Sequence, residues 1–114
     1  MATNLDLEKQ PSSNDGVTIY KANGKLGLET VNGFIQQMRG ETAAYVVVDL
    51  SGVTFLDSAG VGALVSLFVS RRSQGKIFAL AALPPQGAAV ITVAGLQNLL
   101  PVYKTVEEAV ANKK

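Results

Sequence analysis

The chain has 114 residues, 47% of them hydrophobic and 17% charged, with a formal net charge of +1. That length suits one core, and that composition buries enough apolar surface to offset the ordering of the chain, so residues 1–114 are expected to form a single domain. Cysteine and histidine are both absent, which excludes disulfides, thiolate nucleophiles, thiol or imidazole metal sites and the commonest general base. The basic residues are scattered, with Arg71 and Arg72 adjacent but no stripe able to follow a run of phosphates, so direct nucleic-acid binding is not expected.

The first ten residues carry Asp6, Glu8 and Lys9 where a secretory signal needs a basic start and an apolar run, and a cytoplasmic location is expected. Leu5 and Leu7 alternate with Asp6 and Glu8, Pro11 to Gly16 supplies turn formers, and Val17 to Tyr20 alternates again, which predicts a two-stranded hairpin. Asn23-Gly24 reads as a further turn. Val31, Phe34, Ile35 and Met38 then fall at helical spacing behind Thr30, an expected N-cap, with Gly40 as the stop.

Tyr45 to Leu50 is a β-branched and aromatic run, the pattern of a strand in the middle of a sheet. Ser51-Gly52 is read as an interruption, after which Asp57 offers a carboxylate N-cap to a helix carrying Val61, Leu64, Val65 and Phe68 on one face. Ser58 falls in its first turn. The helix is expected to end near Gly75, with Arg71 and Arg72 opposing the negative end of its dipole.

Ile77 to Leu83 predicts a strand, Gln86 to Ala94 a short apolar helix closed by Gly95, and Leu100 to Tyr103 a last strand. Ile77 to Tyr103 holds no charged residue, but prolines and amides interrupt it and no membrane span is expected. Thr105 and Glu108 have the spacing of a capping box for a final helix with Val106, Ala109 and Val110 facing inward. The fold class is therefore α/β: a small mixed sheet with helices packed against it, in the order ββαβαβαβα.

Among the motifs, Asp57-Ser58-Ala59-Gly60 combines an exposed hydroxyl with the amides of a helix start, a setting that tolerates an added negative group. A capping aspartate followed by a small first-turn serine accounts for the same four residues without any modification. Ser58 does not read as a hydrolase nucleophile, because Leu56 stands where a Gly-x-Ser-x-Gly elbow needs glycine and no histidine completes a triad. Gly60 and Gly62 fall short of a dinucleotide fingerprint, since Val65 occupies the third small position, and close helix packing is the expected reason for them. Asp49 and Asp57 are read as two separate structural aspartates, with no metal site and no cofactor expected.

The run from Val46 to Leu64, Val-Val-Val-Asp-Leu-Ser-Gly-Val-Thr-Phe-Leu-Asp-Ser-Ala-Gly-Val-Gly-Ala-Leu, resembles the signature of STAS domains, typified by bacterial anti-sigma factor antagonists. The Gly24-x-Leu26 segment, Gly75-Lys76, Gly95-Leu96 and Val106 to Ala109 follow the same family order, so the resemblance spans nearly the whole chain. It implies a non-enzymatic partner switch in bacterial signalling and transcription regulation. Ser58 is then the phosphoacceptor of an anti-sigma factor with serine kinase activity, and a serine phosphatase reverses the modification. The unmodified protein would bind the kinase-type anti-sigma factor and release the sigma factor. The partner-binding residues expected on this basis are Asp57, Ser58, Ala59, Gly60, Gly62 and Ser66. The chain departs from the pattern at Gly27, where many relatives place aspartate, so no role of that aspartate carries over. The alternative reading is a STAS subunit of a membrane transport complex or signalling scaffold.

Overall fold

The computed structural model describes residues 5–10, 16–93, 95 and 99–112, with backbone only for residues 86, 90 and 93. In chain order the elements are β1 (Leu5–Gln10), β2 (Val17–Leu26), α1 (Val31–Arg39), β3 (Tyr45–Leu56), α2 (Ser58–Ser73), β4 (Ile77–Ala81), α3 (Pro85–Val93), β5 (Val102–Tyr103) and α4 (Val106–Ala111). This is the expected order. The five strands form one sheet, β1-β2-β3-β4-β5, antiparallel between β1 and β2 and parallel elsewhere.

The sheet is built around β3 because successive residues of that strand are apolar on both faces. Val46, Val48 and Leu50 point into a core shared with Phe34 and Met38 of α1, Val61, Leu64 and Leu67 of α2, and Ile91 of α3. Tyr45 and Val47 point the other way, toward Ala109 of α4, and the Tyr45 hydroxyl donates to the Ala109 carbonyl at 2.6 Å. β4 ends at Ala81, two residues before the expected Leu83, because Ala82 has a φ of 57° in the left-handed region and turns the chain out of the sheet.

Three local expectations are corrected. Asn23-Gly24 is not a turn: β2 runs through it, with register shifts on either side and Gly24 at φ 111°, so the glycine serves a bulge within a strand. Ser51-Gly52 does not interrupt β3, because Gly52 to Leu56 pair with Asn23 to Leu26. Thr30 stands at the N-cap position without capping; its hydroxyl donates to the Lys25 carbonyl at 2.8 Å and accepts from the Gly27 amide at 3.1 Å, bracing the connection between β2 and α1. Pro11 to Asp15, Ala94 and Leu96 lie outside the described residues.

The bulged extension of β2 supports the far end of β3. β4 accompanies β3 only as far as Asp49, whereas β2 stays beside it to Leu56. Beyond Asp49, β3 is therefore flanked by β2 alone, and it delivers Asp57 and Ser58 next to the β2–α1 connection.

Arg71 stands in the last turn of α2 as expected, and it is buried there: its guanidinium donates to the carbonyls of Glu41 at 3.3 Å, Ala43, and Ile77 at 3.5 Å. The adjoining Glu41 carboxylate accepts from the Tyr20 hydroxyl at 2.5 Å and the Ala43 amide at 2.8 Å, and pairs with Lys9 at 3.2 Å. Burial alone would raise the Glu41 pKa, but these donors outweigh it and hold the group at about 2. Tyr20 is pushed up to about 12, first by burial and then by its bond to Glu41.

Candidate functional site

At Leu56 the chain leaves β3, and Asp57 takes an extended conformation (φ −108°, ψ −175°) that directs its side chain back over the start of α2. Oδ1 accepts from the Gly60 amide at 2.9 Å while the Asp57 carbonyl accepts from the Val61 amide at 3.0 Å, which closes the first turn as the sequence predicts. The second oxygen has a partner that local sequence does not reveal. Oδ2 accepts from the Leu28 amide at 3.2 Å, reaching across 29 positions to the β2–α1 connection.

Gly27 makes that approach possible. A Cβ at this position would lie 2.8 Å from Asp57 Oδ2 and 3.1 Å from the Phe55 ring. An aspartate there would set a second carboxylate against the first. The departure from the family pattern at Gly27 is thus matched by a local geometry in which Asp57 alone spans the gap.

Ser58 is the first residue of the 16-residue helix α2 and is exposed. The inner side of α2 carries Gly60, Val61, Ala63, Leu64, Leu67 and Arg71, all buried. Gly62, Ser66, Val69 and Ser70 are exposed, and Ala59 and Asp57 are half-buried. The two glycines separate sharply. A Cβ at Gly60 would overlap the Leu26 carbonyl oxygen and approach the Leu56 side chain to 2.8 Å, so close packing requires it. A Cβ at Gly62 would meet nothing within 4 Å, so the close packing expected of both glycines does not account for this one. Of the six residues expected to face a partner, the structure sets Ser58, Gly62 and Ser66 on the open surface and Gly60 inside.

Asp57 also lines a shallow groove with Lys25, Gly27, Leu28, Glu29, Thr30 and Phe55. Leu28 is 74% exposed and Phe55 39%, and the Lys25 ammonium stands 5.9 Å from the centre of the Phe55 ring, within cation–π range. Sequence reasoning missed this patch. Leu28 keeps the spacing of Val31 and Ile35 but precedes Thr30, so it lies ahead of the helix that packs those residues on the core.

Asp49 lies elsewhere and accepts from the Ser51 amide at 2.9 Å, so the two aspartates share no site. Among the described residues, no group of three acidic, histidine or cysteine side chains is arranged to hold a metal ion. Nor, among them, is any helix long and apolar enough to cross a membrane. What the site offers chemically is an accessible hydroxyl, a neighbouring carboxylate already engaged by two amides, and an open helix face.

The family model for the STAS domain matches residues 8–109. The fold is similar to that of an anti-sigma factor antagonist from Mycobacterium paratuberculosis, with a TM-score of 0.84 and 23% identity over 97% of this chain and 95% of the other. It is also similar to the phosphorylated form of the Bacillus cell-fate determinant SpoIIAA, with a TM-score of 0.70 and 16% identity over 93% of this chain and 97% of the other. The murine anion transporter Solute Carrier 26 family member A9 matches 96% of this chain with 22% of its own length, at a TM-score of 0.75 and 21% identity.

Proposed function

The chain belongs to the STAS domain family, and we propose that within it this protein is an anti-sigma factor antagonist whose partner binding is switched by phosphorylation of Ser58. The observation that carries this reading is the exposed Ser58 hydroxyl at the first position of α2, bordering a helix face that leaves Gly62 and Ser66 open. A partner backbone can approach a surface of such small side chains closely. The partner is an anti-sigma factor with serine kinase activity, and the setting is the bacterial cytoplasm. The antagonist has no catalytic role of its own.

In the switching step the kinase transfers the γ-phosphoryl group of ATP to Ser58 Oγ. The bond from phosphorus to the ADP oxygen breaks, the bond to Oγ forms, and the hydroxyl proton leaves to a base on the kinase. A serine phosphatase returns the hydroxyl by hydrolysis. The phosphate adds about −1.5 to −2 charges with their hydration where the partner must come close. Asp57 already places a carboxylate beside that position, so the added charge also meets like charge. The unmodified form binds the anti-sigma factor and frees the sigma factor; the phosphorylated form lets go.

Incubation with the cognate kinase and ATP, followed by peptide mass spectrometry, tests the assignment. Phosphate is expected on Ser58. Phosphate confined to Ser66, Ser70 or Ser73 would overturn it. The likeness to an anion transporter domain supports a second reading, a subunit of a transport complex or scaffold. Recovery of a transporter and no kinase-type anti-sigma factor with the tagged protein would favour that reading.

A further inference from the structure

The Asp57 carboxylate touches both the helix bearing Ser58 and the connection bearing Leu28. Resting on the phosphoswitch reading, we propose that Asp57 is a positioning residue that links the state of Ser58 to the β2–α1 connection, holding Leu28 in place when the serine is free and releasing it when the serine is phosphorylated. The two bonds of the carboxylate are unequal. That to Gly60 is 2.9 Å and half-buried, whereas that to Leu28 is 3.2 Å and exposed.

A phosphate on the adjacent residue repels the carboxylate and competes for the amides at the start of α2. The longer, solvated bond to Leu28 is the one that yields first, because an exposed hydrogen bond loses little by exchange with water. The effect is confined to Leu28: Gly27 stays tied through its amide and carbonyl to Thr30 and Val31, whereas the Leu28 amide bonds to the Asp57 carboxylate. Leu28, which lines the groove with Phe55 and Asp57, then no longer offers a fixed apolar contact to the partner.

Asparagine at position 57 separates the two bonds. Its amide oxygen still caps the Gly60 amide, since asparagine is as good an N-cap as aspartate, but its NH2 group cannot accept from Leu28. In the full chain, Asp57→Asn is expected to speed hydrogen exchange of the Leu28 amide about fivefold, the loss of roughly one net hydrogen bond, with the denaturation midpoint nearly unchanged. Phosphoserine installed at position 58 during synthesis, independently of any kinase, is expected to produce the same acceleration. Both changes together are expected to add little to either alone.

Unchanged Leu28 exchange in Asp57→Asn, or in the phosphoserine protein, would overturn the link. If exchange at Leu28 stays unchanged while phosphoserine still weakens partner binding, the link fails and the switch stands. If Leu28 is released in both proteins while affinity for the anti-sigma factor is unaltered, the link stands and the switch fails.

Discussion

The two ends of α2 are held in opposite ways. At the C-terminal end a buried arginine reaches three backbone carbonyls, two of them from the segment leading into β3, beside a buried carboxylate with three donors of its own. At the N-terminal end a single half-buried carboxylate spans two amides, and the neighbouring serine faces solvent. One end is an anchor that tolerates little change. The other leaves its serine in solvent outside the core, which is what the proposed modification of Ser58 requires.

The largest effect should come from breaking the anchor. Arg71→Ala leaves buried carbonyls without a donor, each costing about 1 to 3 kcal/mol, and should destabilise the fold by roughly 3 to 5 kcal/mol in chemical denaturation. A loss as small as that of a surface substitution would erase the contrast between the two ends.

Acid should attack the same end. The folded-state pKa of Glu41 is lowered from 4.5 to about 2, so its contribution is fully present above about pH 4.5 and is lost as pH falls toward 2. At most it is on the order of 3 kcal/mol, from about 1.4 kcal/mol per pKa unit. Stability measured against pH should fall through this window in the parent and fall less in Glu41→Gln.

Two glycines test the sides of the helix directly. Gly60→Ala must displace the Leu26 carbonyl or the Leu56 side chain and should cost roughly 1 to 3 kcal/mol. Gly62→Ala meets open space in an exposed helix interior and should stabilise by up to about 1 kcal/mol, while weakening partner binding by intruding on the open face. Equal costs at the two positions would contradict the assignment of inner and outer sides. The smallest effect belongs to Ser58→Ala, which should change stability by less than about 0.5 kcal/mol.

The sequence was most readable where one local rule governs. The two-sided apolar run of β3, the Asp57 cap and the Thr105 cap, whose hydroxyl accepts from the Glu108 amide at 3.1 Å, all rest on short-range chemistry. What a distant partner decides was not readable. Arg71 stands in the last turn as the rule for basic residues near helix ends has it, but its bonds to carbonyls about thirty positions upstream have no local signal. Gly24 carries the mark of a turn, but pairing with β3 turns it into a bulge. At the candidate site, the exposed position of Ser58 at the start of α2 was legible from its place after a capping residue. The bond from Leu28 to Asp57 was not, because nothing local brings those two residues together.

The affinity of the open end of α2 for its partner tests the switch most directly. Titration calorimetry of the cognate anti-sigma factor with unmodified protein and with protein phosphorylated at Ser58 measures it. The phosphorylated form is expected to bind at least about tenfold more weakly, a difference of about 1.4 kcal/mol; equal affinity of the two forms would contradict the switch.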